Sequence, residues 1–339
     1  METKKRKFKL FDSQREGRGV EKGDEYTKTD LKGFFIKYKN CFPRLLTVNL
    51  MMVLGNFPLI FAFLALAPFS RIAYTTPAYE SFPILRGLFL HGNEISASTL
   101  ASIGLEGLQT ESFAMTPWTY ILFALGALTL FTFGAVNAGT TYILRNMAKG
   151  DPVFLWSDFF YAVRRNWKQA LPFGILDAAL LVLIPFDIFF ILTTVEGPFG
   201  AIMFGLTLGI GLVYLWMRFY IYLQMVTFDL SLKKILKNAL IFSLLGFKRN
   251  FMATLGIIAL LGINVFLLFG FGGIFSATAI LLPLVLIFSN GAFMSTYAAY
   301  FKIKEVMIDP YVTPEEPPSE EYLDSDFDDE DVSYDEGNA

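Results

Sequence analysis

The sequence predicts an all-α polytopic membrane protein, with about six transmembrane helices in three hairpins and amphipathic interfacial helices. Hydrophobic residues make up 54% of the chain and charged residues only 17%, whereas soluble domains usually carry about 25% charged residues. The two ends, 1–42 and 301–339, hold 14 of the 28 Lys and Arg and 21 of the 31 Asp and Glu. The remainder is too apolar to fold around a water-facing surface.

Six segments have the length of about 20 mostly apolar residues that crosses the hydrocarbon core of a bilayer. They are 43–67, 118–142, 170–193, 199–223, 251–270 and 274–300. Little more than Gly270, Gly272 and Gly273 separates the last two segments, which predicts a tight hairpin. No apolar run occurs before about residue 45, so we expect the first span to remain in the mature protein.

The connections between the spans are alternately rich and poor in Lys and Arg. They number 12 in 1–42, two in 68–117, five in 143–169, none in 194–198, six in 218–250 and none in the last hairpin turn. Basic connections face the cytoplasm. Six spans with both termini in the cytoplasm satisfy every connection.

This alternation divides the chain into three predicted parts. Residues 1–42 form a basic cytoplasmic segment with an amphipathic helix, and residues 43–305 form the membrane domain with an external loop, 68–117. Residues 306–339 form an acidic tail, with 12 acidic residues from Glu315 to Glu336, and such a composition predicts disorder. The tail is either simply solvated or bound to a basic protein. The external loop carries enough Phe, Leu and Ile to pack as a small cap or re-entrant element.

A short pattern recurs before the odd-numbered spans: two bulky apolar residues, then a basic residue and Asn. Its three copies end at Asn40, Asn166 and Asn250, and a Leu follows each Asn by five positions. We interpret the pattern as an elbow where a basic amphipathic helix on the cytoplasmic leaflet turns into a span. Chance similarity and cytosolic helices that pack on one another are the alternatives.

Signals for an enzyme are weak. The sequence contains no His-Glu-x-x-His, nucleophile elbow or P-loop. Its single Cys, Cys41, and single His, His91, exclude an intrachain disulfide and metal sites built from several Cys or His residues. Cys41 is better explained as a small apolar interface residue than as a nucleophile. We therefore expect no enzymatic activity and no cofactor or metal.

Polar residues within the spans are better candidates, because they are costly in lipid and usually face the bundle. Asp177 lies nine residues after Lys168, about 13 Å into the bilayer at helical rise, and it could pair with Arg218. Asn137, Asn264 and Asn290 also fall within or near spans. These residues either make structural contacts between helices or form a transport path. In the structural case, we expect Asp177→Asn to keep the hydrogen bonds and leave the protein intact.

Two stretches of the chain resemble the YesL family of bacterial membrane proteins, a domain of unknown function. They are Asn137-Ala138-Gly139-Thr140-Thr141-Tyr142 with Arg145, and Asp158-Phe159-Phe160 with Arg164-Arg165-Asn166-Trp167-Lys168-Gln169-Ala170. The resemblance covers about residues 30–305. It implies a helical protein of the bacterial plasma membrane, often encoded beside carbohydrate ABC importers, and it supplies no catalytic residues. The loop 68–117 and the acidic tail depart from the shorter family pattern.

We therefore predict a non-enzymatic membrane accessory protein associated with a carbohydrate ABC uptake system. Its partners would be the lipid bilayer and ABC transporter subunits, and no nucleic acid. The alternative is a small secondary transporter or channel that uses Asp177, and a membrane enzyme is a third hypothesis. The sugar link rests on the resemblance alone.

Overall fold

The computed structural model describes residues 30–67, 70–77 and 109–311, together with single positions between 83 and 101. The predictions for 1–29, for most of residues 78–108 in the external loop and for the tail beyond residue 311 lie outside these residues. In chain order the elements are α1 (Leu31–Gly55), α2 (Leu59–Leu66), β1 (Arg71–Pro77), β2 (Gln109–Met115), α3 (Pro117–Ala127), α4 (Thr129–Lys149), α5 (Leu155–Thr194), α6 (Gly197–Thr227), α7 (Leu232–Leu245), α8 (Phe247–Gly270), α9 (Ile274–Leu282) and α10 (Phe288–Ile303). A π-helical turn, Pro283–Ile287, joins α9 to α10.

The helices confirm the predicted class of fold. Five helical stretches of the described chain are long and apolar enough to cross a membrane, and the bent pair α1–α2 makes a sixth if it is counted as one span. The stretches form three hairpins: α1–α2 with α3–α4, α5 with α6, and α8 with α9–α10. The last hairpin turns at Gly273, whose φ of +65° is in a region that favours glycine.

The first span, predicted at 43–67, is broken in the structure. Helix α1 ends at Gly55 and α2 begins at Leu59, and the two axes differ by 62°. The break has a local cause. Pro58 has no N–H to donate to the Leu54 carbonyl oxygen, and the Asn56 side chain and backbone N–H both donate to the Met52 carbonyl oxygen, at 3.0 and 3.2 Å.

A two-stranded antiparallel ribbon follows α2, and the all-α prediction did not include it. Strands β1 and β2 pair from Arg71 opposite Met115 to Pro77 opposite Gln109. Thr116 then caps α3 with its hydroxyl and donates to the Ser70 carbonyl oxygen at 2.8 Å. The ribbon therefore brings the start of α3 beside the end of α2.

The three Asn residues at which elbows are predicted lie in different parts of their helices. Helices α1 and α5 run without a break through Asn40 and Asn166, and the Asn166 side chain bonds within its own helix, to the Ala162 carbonyl oxygen at 2.8 Å. Only the third copy lies at a junction, because α7 ends at Leu245 and Asn250 lies in the first turn of α8. The Asn in this pattern therefore does not by itself end a helix.

Helix α5 nevertheless turns across α4. Gly134 of α4 meets α5 between Ala170 and Gly174. If the two helices were straight and antiparallel, Gly139 would lie level with about residue 167, and Phe159 would be about 12 Å further along α5. The Phe159 ring instead fills the space beside Gly139, 2.6 Å from where a Cβ would stand. Pro172 removes one backbone hydrogen bond in the intervening turn, which is a recognised cause of helix bending.

The core lies at one end of the bundle, which we call the basic end because it carries Lys37, Arg145, Arg164, Lys168 and Lys233. Helix α4 packs against α1, α5, α6 and α10. Basic and amide side chains here bind carbonyl groups at or just beyond the ends of helices: Lys37 to Ala148 at 2.6 Å, Arg145 to Val226 at 2.8 Å and Gln169 to Leu230 at 3.0 Å. These bonds satisfy acceptors that a helix end leaves open.

Helices α4 and α5 meet backbone to backbone at Gly134 and Gly174. A Cβ on Gly134 would lie 2.8 Å from Gly174 Cα and would collide with the Ala170 carbonyl oxygen. Small residues permit such close packing between helices in membranes.

We expect Gly174→Ala to lower the free energy of unfolding by about 1–3 kcal/mol, because the new methyl group forces the two helices apart. Thermal unfolding in detergent, followed by intrinsic fluorescence, measures this change. Gly205→Ala in α6 is the matched control, because a Cβ there meets nothing within 4 Å. Equal stability of the two variants would contradict a tight crossing.

Candidate functional site

A fully buried carboxylate, Asp177 of α5, lies at the centre of the polar cluster within the membrane. The predicted ion pair forms: Arg218 Nε lies 2.9 Å from both Asp177 Oδ1 and Oδ2. The Tyr214 hydroxyl donates to Oδ1 and the Tyr222 hydroxyl to Oδ2, each at 2.7 Å. Both carboxylate oxygens therefore accept a hydroxyl and share the guanidinium N–H.

Asn137 joins the cluster from α4. Arg218 Nη2 donates to Asn137 Oδ1 at 3.3 Å, and Asn137 Nδ2 donates to the Phe133 carbonyl oxygen at 2.8 Å. The guanidinium carbon also lies 5.7 Å from the centres of the Phe133 and Tyr222 rings, within the range of a cation–π contact. The cluster thus connects α4, α5 and α6.

The glycine crossing positions this cluster. Gly134 lies three residues before Asn137 and Gly174 three residues before Asp177, so each polar side chain follows the contact by about one turn on the same helix. Because α4 and α5 are antiparallel, Asn137 and Asp177 lie on opposite sides of this contact, and Arg218 of α6 binds both.

Sequence reasoning missed Tyr214 and Tyr222, although a signal was present. Tyr214, Arg218 and Tyr222 are spaced at i, i+4 and i+8, which places them on one face of α6. An arginine between two tyrosines on one face of a span predicts a site that neutralises a carboxylate on a neighbouring helix. The glycines three residues before Asn137 and Asp177 are a second signal.

Asn290 lies outside this cluster. It is buried on α10, near the Tyr38 hydroxyl of α1, and its amide atoms make no hydrogen bond of standard geometry among the described residues. The Gln224 amide on α6 is also fully buried and has no such bond there. Neither residue joins Asp177.

Two other Asn residues stabilise helix junctions. Asn250 accepts from the Tyr220 hydroxyl at 2.7 Å and donates to the Ser243 carbonyl oxygen at 3.0 Å, which satisfies the end of α7. Asn49, which sequence reasoning missed, donates to the Pro283 carbonyl oxygen at 3.0 Å and accepts from Ser289 N at 2.9 Å. It thereby binds the backbone groups on either side of the π-helical turn.

The remaining candidates have simple environments. Cys41 is a buried free thiol on α1 and packs in the apolar core at the basic end. Asn264 donates to the Ala279 carbonyl oxygen at 2.8 Å across the last hairpin. Within the residues that the structure describes, no group of three His, Cys, Asp or Glu side chains could hold a metal ion.

The geometry changes the expectation for Asp177→Asn. An amide can accept on one atom only, so its nitrogen would face a hydroxyl or guanidinium donor and Arg218 would lose its counter-charge. Removal of one partner of a buried ion pair costs roughly 3–5 kcal/mol, and we expect a loss of that size. The measurement is unfolding in detergent of the purified variant.

Asp187→Asn is the matched control, because Asp187 lies on the same helix and makes no ion pair among the described residues. The double variant Asp177→Leu with Arg218→Met should recover most of the stability, because apolar replacement of both partners leaves no uncompensated charge. A stable Asp177→Asn protein, or a double variant no better than the single, would contradict the assignment.

The family model described as "Protein of unknown function, DUF624" matches residues 113–188. The match runs from β2 through α3 and α4 and along most of α5, so it contains Asn137 and Asp177 but not the α6 residues that complete the cluster. No curated protein and no solved structure matches the chain. The match over residues 113–188 and the long apolar helices together indicate a membrane protein, similar in this segment to a family of unknown function.

Proposed function

We propose that this protein is a non-enzymatic accessory component of a bacterial plasma membrane that acts with a carbohydrate ABC uptake system. In this role it carries no substrate itself and contacts the transporter subunits. The family match and the apolar helices support the class of protein. The sugar link comes from the resemblance to the YesL family.

The observation that carries this proposal is the complete pairing of Asp177. A carboxylate that couples transport must exchange a proton or cation during the cycle, and it needs an accessible oxygen for that exchange. Both Asp177 oxygens instead accept a tyrosine hydroxyl and the Arg218 guanidinium, and the residue is fully buried. This arrangement favours a structural role, in which the ion pair holds the helices together.

Two features favour the alternative, a small secondary transporter or channel. Arg218 keeps 24% of its side chain exposed, and the first span is broken between α1 and α2. Broken helices border substrate sites in several transporters. Transport by the isolated protein therefore separates the two hypotheses.

We propose that the basic end faces the cytoplasm, with both termini on that side. The Lys and Arg residues at this end support the orientation through the positive-inside rule. In a Cys41→Ser background, we expect a Cys at Lys233 to resist a membrane-impermeant thiol reagent in intact cells and a Cys at Glu196 to react. The reverse pattern would contradict the orientation, and permeabilised cells control for the reactivity of each thiol.

For the accessory role, we expect purified wild-type protein in proteoliposomes to move neither sugars nor protons. The same protein, cross-linked in native membranes, should co-purify with ABC permease subunits, and its deletion should lower uptake of the transported sugar. The doubly uncharged variant Asp177→Leu with Arg218→Met should keep this association. Robust flux by the wild type that disappears in the double variant would establish the transporter instead.

A further inference from the structure

We propose that the basic end carries a binding site for the phosphate headgroup of an anionic phospholipid, in a groove on the first half of α5. Ser157, Phe160, Tyr161, Arg164 and Arg165 line this groove, whose volume is ≈ 590 Å³. The site goes beyond the accessory role, because it names a ligand and the residues that bind it. It would stand whether or not the protein associates with a transporter.

The first half of α5 has the position of an interfacial helix. It turns across α4 and buries Phe159 and Ala162 on its inner side. Its outer side leaves Trp156, Phe160 and Trp167 each about half exposed. Aromatic side chains of this kind concentrate at the level of lipid headgroups.

The groove holds donors that are free for an anion. Arg164 makes no ion pair or hydrogen bond with the described residues. Arg165 uses one N–H, from Nη1 to the Tyr161 oxygen at 3.0 Å, which leaves its other N–H groups and the Tyr161 hydrogen available. Arginine forks bind phosphate oxygens in pairs, so two adjacent arginines suit a phosphate group.

The nearest acid along the helix does not offset this charge. Asp158 Oδ2 accepts the Phe154 N–H at 3.0 Å, which caps the start of α5. Asp151, in the preceding turn, pairs with Lys149 at 2.8 Å. Among the described residues neither carboxylate forms an ion pair with Arg164 or Arg165, so both guanidinium groups can meet an anion.

The aromatic residues beside the arginines select a lipid over a soluble phosphate. Trp156 stacks on Phe160 with ring centres 6.3 Å apart, and Phe160 itself lines the groove. A free phosphate ion gains nothing from this apolar wall, whereas the glycerol and upper acyl chain of a phospholipid pack against it. Charge and apolar surface therefore occur together, as a headgroup requires.

Native mass spectrometry of the purified full chain in detergent tests the site, with phosphatidylglycerol added at increasing concentration. We expect the wild type to retain one phosphatidylglycerol and Arg164→Gln with Arg165→Gln to bind it at least roughly tenfold more weakly. The control, Lys233→Gln with Lys234→Gln, removes the same charge from exposed positions of α7 at the same end. It should bind like the wild type. An equal loss of lipid affinity in both variants would mean that general surface charge binds the lipid, and it would overturn the proposed site.

Three further measurements identify the occupant and guard against misfolding. Inorganic phosphate at millimolar concentration should not displace the lipid, and displacement would overturn the choice of a lipid headgroup. A photoreactive p-benzoylphenylalanine at Phe160 should cross-link phospholipid in native membranes. Cross-links to residues 312–339 or to a second copy of the chain would assign the groove to those occupants.

The conservative variant Arg164→Lys with Arg165→Lys should recover part of the affinity, and no recovery in a stably folded protein would contradict phosphate binding.

Discussion

The fold depends on how one negative charge is accommodated inside the bilayer. An unpaired carboxylate at this depth would be costly to keep ionised, and Asp177 lies about 12–14 Å from the basic end. Its neutralisation requires Arg218 and two tyrosines from α6 and, through Arg218, an amide from α4. The relative positions of three helices are therefore fixed by one side chain, in a solvent where the hydrophobic effect does not drive helices together.

The glycine contact makes this arrangement geometrically feasible. Gly134 against Gly174 lets α4 and α5 approach closely, and Arg218 of α6 then binds Asn137 on one and Asp177 on the other. At the basic end a second group of polar side chains also joins helices: Lys37, Arg145 and Gln169 bind carbonyl groups near helix ends. Two sets of polar contacts thus hold the mostly apolar bundle together, one around the buried charge of Asp177 and one at the helix ends.

Much of this fold could be predicted from the sequence, and the failures have physical causes. Apolar length and charge alternation predicted the spans and hairpins, and the polar residues within the spans predicted that Asp177 could pair with Arg218, as it does. Pattern alone could not show that Asn166 would bond within its own helix. The two tyrosines were missed although their spacing places them on one face of α6 with Arg218, because spacing alone does not show that this face meets Asp177. The ribbon β1–β2 lies in a segment whose apolar content did not distinguish strand from helix.

The same physics separates the structural part of the molecule from the part that can meet partners. The Asp177 cluster satisfies its own charge, so little of its hydrogen-bonding capacity remains for a ligand. The first half of α5 is the opposite case, because its arginines and aromatic rings are exposed and Arg164 has no partner among the described residues. A site that binds a ligand or partner is therefore best sought at the basic end, where unpaired charged side chains are solvated by lipid headgroups and water. The membrane interior then serves to hold that surface in place.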